Sequence, residues 1–199
     1  MAKNKFNFSE HSGSIGQLEE YYRSMSELID RKHNPALNPE YALDFPFMRP
    51  DEISEKAATL RRELVFEGNL AVLSYVESVF RVDAIMRCQA KIKQDSLFKK
   101  FKKEIKHQNG KTVYHYIRIC ETILEGWKVE YREHVNLLNS LGQAFEYRNW
   151  LAHGKYWTYK ESVDKYTFEY VLGLAKAVIK AFDGLLFKQL PVGEKIGRI

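Results

Sequence analysis

The chain has 199 residues, 45% hydrophobic and 29% charged, with 31 Lys+Arg against 26 Asp+Glu and a formal net charge of +5. That length suits one domain with or without an embellishment, and a globule of this size buries roughly 70% of the surface its unfolded chain exposes, so the core needs no staples. Collagen, low-complexity disorder and a disulfide scaffold are excluded by composition, and with mean hydropathy at −0.44 no apolar run approaches the ~20 residues of a membrane span. The opening MAKNKFNFSEHSGS lacks the apolar stretch of a signal peptide, so a cytoplasmic protein without a membrane partner is expected.

Residues 1–14 are polar and punctuated by Gly and Ser, which predicts a frayed end. Leu18, Tyr21, Tyr22, Met25, Leu28 and Ile29 recur at helical spacing and predict a helix from about Gly16 to Lys32. Pro35, Pro39, Pro46 and Pro50 follow within residues 34–50, a density no helix survives. That stretch reads as an irregular connector from which Phe45, Phe47 and Met48 dock onto the body. Residues 1–50 are therefore read as an N-terminal helix and Pro-rich connector, and 51–199 as a helical bundle domain.

Asp51 is read as the cap of a long helix reaching about Lys93, with Leu60, Leu64, Val72, Val76, Val79 and Met86 along its stripe and Gly68 marking a kink or close packing. A short helix is predicted over Ser96–His107, with Leu97, Phe98, Phe101 and Ile105 inward, followed by a turn at QNGK, 108–111. From Thr112, the positions Val113, Tyr116, Ile117, Cys120, Ile123, Leu124 and Trp127 form a helical stripe. A further helix carries Tyr131 to Phe145 towards Gly154, and the last runs from about Val163 to Lys188. Period-two alternation is nowhere sustained, so the fold class is an all-α bundle.

The basicity is local. Residues 91–111 hold eight lysines against Asp95 and Glu104, which leaves the rest of the chain slightly acidic. Lys99, Lys100, Lys102, Lys103 and Lys106 are candidates for tracking an RNA backbone; a solvated helix face is the plainer reading of such a run. Cys88 and Cys120 sit in apolar helical surroundings without CxxC spacing and read as reduced, buried thiols. His11, His33, His107, His115 and His134 form no ligand set, and no Gly-rich phosphate loop or HExxH motif occurs. Neither a metal nor a cofactor is expected.

The sharpest local sequence is FEYRNWLAHGKYW, residues 145–157. Arg148 and His153, five apart, stand ~140° apart around a regular helix and converge only if the helix ends or loosens between them. Gly154 supplies a stop, since Gly takes the left-handed conformation after a helix end. His153 would then sit beside unsatisfied carbonyls at the negative end of the dipole. Trp150 and Leu151 read as core. Glu77, in SYVESVF, is a candidate acidic partner for Arg148, although a solvated or structural carboxylate is the plainer reading.

RNWLAHG after an amphipathic helix, late in an all-helical domain, resembles the HEPN superfamily (higher eukaryote and prokaryote nucleotide-binding domains), whose signature of Arg, a polar residue, a variable spacer and His matches Arg148, Asn149 and His153. The resemblance covers the motif and, in helical outline, about residues 51–190. It implies a metal-independent endoribonuclease, often a toxin or defence effector with a cognate antitoxin or regulator. Such an enzyme acts as a homodimer whose motifs face one composite cleft. In those terms His153 handles the proton, Arg148 clamps the phosphate, and Asn149 orients His153 or bonds to phosphate or ribose. Where the subgroup paired with nucleotidyltransferase antitoxins has a Tyr two residues after the His, this chain has Lys155, then Tyr156; both are candidate RNA contacts. The rival reading is a non-catalytic HEPN-like module that binds RNA, nucleotide or a protein partner.

Overall fold

The structure is a computed structural model that describes residues 14–104, 106–108, 111–113, 117–154, 158–159 and 162–186; for Lys106–Gln108 and Lys111–Val113 only the backbone is described. It is an all-α fold. Helix α1 spans Ile15–His33 and starts in a capping box, where the Ser14 hydroxyl accepts from the Gln17 amide and the Gln17 side chain accepts from the Ser14 amide. After α2 (Tyr41–Asp44) comes α3, an unbroken helix from Pro50 to Ala90. Pro50 occupies the first helical position, where its missing N–H is no loss. Arg49, rather than Asp51, is the cap residue; its amide donates to Glu52 at 2.7 Å. Gly68 marks close packing and no kink, because a Cβ there would meet the Phe168 ring at 2.8 Å.

The remaining elements wrap α3. Helix α4 (Ser96–Phe101) starts at Asp95, whose carboxylate accepts from the Leu97 and Phe98 amides, and it tightens into a 3₁₀ turn at Lys102–Glu104. The helix expected to reach His107 thus stops earlier. Lys106–Gln108 (β1) pairs antiparallel with Lys111–Val113 (β2), on either side of the expected Asn-Gly turn. Val113 therefore belongs to a strand; the helical stripe expected from Thr112 starts at a π-helical turn, Ile119–Leu124, which runs into α5 (Glu125–Glu130). Helix α6 is Val135–Ala152 and α7 is Phe168–Phe182, capped by Thr167. The last helix is shorter than expected at both ends: Val163 lies in a separate 3₁₀ turn (Val163–Lys165), and α7 stops at Phe182, where Asp183 is extended and Gly184 takes φ 82°, instead of running on towards Lys188. The end at 1–13 and the stripe position Tyr116 lie outside the described residues.

The core centres on α3, α6 and α7 with Trp127 in their midst, fully buried against Phe80 at 5.8 Å and Phe182 at 5.1 Å. Each such aromatic contributes large apolar area in edge-to-face geometry. Helix α1 packs on α3 and α7 through the stacked Tyr22–Phe168 pair, 3.6 Å between centroids, and a Lys176–Glu19 ion pair, yet none of its residues is fully buried. Tyr21 and Leu28, expected inside, are exposed. In the connector, Phe45 is buried against His33 and Tyr41 and Met48 is half-buried, but Phe47 is 97% exposed and does not dock. Among the described residues no helix is long and apolar enough to cross a membrane.

Candidate functional site

Helix α6 stays regular through Ala152, so it does not loosen between Arg148 and His153. His153 is the cap residue rather than the last helical one, and its amide donates to the Asn149 carbonyl at 3.1 Å. Gly154 then takes the left-handed conformation, φ 74°, as the sequence suggested, and its amide closes on Leu151. Trp150 and Leu151 are buried, as expected.

Arg148 leaves the helix on the side facing α3, away from His153, but its length brings the guanidinium round. Nη2 lies 3.2 Å from Glu77 Oε2, Nε donates to Ser74 Oγ at 3.4 Å, and Nη1 donates to Asn149 Oδ1 at 3.1 Å. Asn149 stands four residues before His153, ~40° from it around the helix, on the same exposed stripe. What links Arg148 to the His153 face is side-chain reach through Asn149, not a break in the backbone. Asn149 therefore holds the arginine, where sequence reasoning offered it as an orienter of His153 or a phosphate ligand.

The acidic partner is the one the sequence nominated, and it serves two cations. Glu77 is only 10% exposed; its Oε1 accepts from Arg81 Nε at 2.6 Å while Oε2 faces Arg148. Arg81 also donates through Nη1 to the Ile117 carbonyl at 2.8 Å, which ties the cluster to the chain entering the π-turn. Arg81 and Ser74 were missed by sequence reasoning. The signal for Arg81 was its position four residues after Glu77, the spacing at which acid and base meet on one helix face. Two guanidinia on one carboxylate leave a net charge of +1, and both arginines stay partly open, at 34% for Arg81 and 26% for Arg148. A guanidinium has five N–H donors in a planar fork, and the contacts described for each do not use them all.

An open groove of about 600 Å³ lies between the π-turn and α5 on one side and α6 on the other, lined by none of the cluster's residues. Asn139, Gly142 and Glu146 of α6 line it, on the stripe that continues to Asn149 and His153. Glu121, Glu125 and Glu146 outnumber Lys128, which is itself 2.7 Å from Glu125, so the groove repels phosphate. Cys120 also lines it, half-buried; burial first, then Glu121, Glu146 and Glu77, push its thiol up to about 11. Cys88 is fully buried and raised to about 12, again chiefly by burial. Neither thiol ionises near neutrality, so neither is a nucleophile there.

The basic stripe is not one helix face. Lys99 and Lys100 are on α4, Lys102 and Lys103 on the 3₁₀ turn, and Lys106 on β1, because the helix ends at Phe101. Lys99, Lys102 and Lys103 are exposed and Lys100 is half-buried; the Lys106 side chain, Lys155 and Tyr156 lie outside the described residues. No group of three or more His, Cys, Asp and Glu side chains suited to a metal ion occurs among the described residues. No protein-family model matches this chain, and neither a similar curated protein nor a similar solved structure was found.

Proposed function

We propose that the protein is a metal-independent endoribonuclease of HEPN type, a toxin or defence effector held in check by a cognate antitoxin or regulator, with Arg148, Asn149 and His153 of two protomers forming one site. The observation that supports this reading best is the arginine: a guanidinium braced by buried Glu77 and by Asn149, one turn from an exposed histidine at a helix end. In this chemistry the ribose 2′-oxygen forms a bond to phosphorus and the bond to the 5′-oxygen breaks. One His153 takes the 2′ proton, and the other protomer's copy returns a proton to the leaving oxygen. Arg148 neutralises charge on the phosphorane oxygens, and the products carry a 2′,3′-cyclic phosphate and a 5′-hydroxyl. Dimerisation doubles a site that has one Arg and one His per chain.

Cleavage of total RNA and tRNA by the purified protein in EDTA tests this, beside Arg148→Ala and His153→Ala. Each variant is expected to lose at least about 10²-fold in rate, the usual contribution of a positioned acid, base or phosphate clamp. A strict requirement for divalent metal overturns the mechanism, and a monomer by light scattering at micromolar concentration overturns the composite site. One observation favours a second reading, a non-catalytic module that binds RNA, nucleotide or a protein partner: the Arg148 guanidinium is already engaged by Glu77, Ser74 and Asn149. That module binds without cleaving, and His153→Ala leaves its binding unchanged.

A further inference from the structure

The Glu77 cluster has more capacity than one phosphate-clamping arginine requires. We infer that Arg81 and Arg148, braced on the two oxygens of Glu77, form a two-guanidinium cradle for one backbone phosphodiester of a bound RNA. The inference rests on reading the protein as one that handles RNA, and it adds Arg81 as a binding residue and Glu77 as a positioning residue. Each arginine is held at its inner edge: Arg81 by Glu77 and the Ile117 carbonyl, Arg148 by Glu77, Ser74 and Asn149. Such bracing removes rotamer freedom before a ligand arrives, and a pre-organised fork loses less on binding than a loose one. Both side chains keep an exposed fraction, 34% and 26%, and with Glu77 they carry an excess positive charge, while the groove between the π-turn and α6 is acidic. Backbone phosphate is thus drawn to the arginine side of α6 and kept out of the groove.

Glu77→Gln separates this assignment from plain electrostatics. Removing a negative charge from beneath two arginines strengthens RNA binding if only net charge matters; it weakens binding if the carboxylate holds the two forks in place. The probe is a short fluorescein-labelled 2′-O-methyl oligoribonucleotide, which binds but cannot be cleaved through a 2′-oxygen, followed by anisotropy across a salt series. Arg81→Gln is expected to lower affinity about tenfold or more, the loss from a charge-assisted contact, and to flatten the salt dependence by close to one phosphate contact. Arg81→Lys keeps the charge without the planar fork and is expected to bind more weakly than wild type. Nitrogen-labelled arginine side-chain signals of Arg81 and Arg148 should both shift on titration.

Affinity unchanged in both Arg81 variants, or tightened in Glu77→Gln, overturns the cradle. Circular dichroism establishes that each variant is folded, and the Arg81 pair decides alone if Glu77→Gln is not. The outcomes also separate this inference from the nuclease reading. Probe binding that depends on Arg81, in a protein that cleaves no RNA, keeps the cradle and removes the enzyme. Metal-free cleavage indifferent to Arg81 does the reverse.

Discussion

Two clusters on α3 use the same local device to opposite ends. Glu77 and Arg81, and again Asp83 and Arg87, are an acid followed four residues later by arginine, and each pair forms its ion contact, at 2.6 and 2.8 Å. Each then recruits a third ionic group from elsewhere in the fold: Arg148 of α6 joins the first, and Asp95, the cap of α4, joins the second. The difference lies in stoichiometry and burial. The first has two arginines on one carboxylate and stays partly open; the second has two carboxylates on one arginine and is closed, with Arg87 at 4% and Asp83 at 0% exposure. Arg87 spends its last direction on the Leu185 carbonyl at 2.9 Å and lies over the Trp127 ring. Burial alone would depress its pKa, but the hydrogen bond and charge of Asp83, with Asp95, raise it overall. The closed cluster fastens α3, α4 and the chain just after α7 together, while the open one keeps its arginines partly exposed.

Substitutions should pull the two apart. Arg87→Met takes the guanidinium away from buried Asp83 and half-buried Asp95 and should cost about 3–5 kcal/mol in urea unfolding; a loss under about 1 kcal/mol would erase the distinction. Asp95→Ala removes both a partner of Arg87 and the cap of α4, and the cap alone is worth about 0.5–2 kcal/mol. The closed cluster should also mark the alkaline limb of stability. The Cys88 thiol beside it is raised from 9.0 to about 12 by burial, with the charges of Asp95 and Asp83 adding. Its folded pKa lies above its unfolded one, so its contribution is whole below pH 9 and is lost as pH climbs through about 12. Unfolding curves across that range should fall with pH, and Cys88→Ala should flatten the fall. The smallest stability effect belongs to the open cluster: Arg81→Met should stay within about 1 kcal/mol of wild type, even as oligonucleotide affinity drops.

Much of the fold was legible because its signals are local. The first helix, the apolar stripes of α3, α6 and α7, and the Gly154 stop all follow from spacing and residue type, whereas Ser14, expected in a frayed end, is the cap of α1. The elements misread are those set by tertiary demands. A helical stripe runs on paper through Val113, yet strand pairing claims that residue, and a six-residue π-turn replaces regular helix at Ile119. Phe47 looked like an anchor by hydrophobicity, but the connector turns it to solvent. At the candidate site the motif residues and Glu77 were visible in sequence. Arg81 was one charged residue among many on α3, and nothing local says which acid-base pair a distant arginine will join. The route by which Arg148 reaches Asn149 depends on rotamers that α3 imposes, which spacing alone does not encode.

The length of α3 has a consequence for how the protein breathes. At 41 residues the helix is about 61 Å long, more than twice the span of α6 or α7, so it outruns the bundle that shields it. From Val72 to Cys88 nearly every turn places a side chain in the core, whereas residues 58–63 are exposed throughout and only Ile53 and Ala57 anchor the turns before them. Amide hydrogens along this single rod should therefore exchange on two clocks: those past Val72 only when the whole domain unfolds, those before Leu64 through local opening together with α1. One continuous element would then belong to two cooperative units, divided near Gly68.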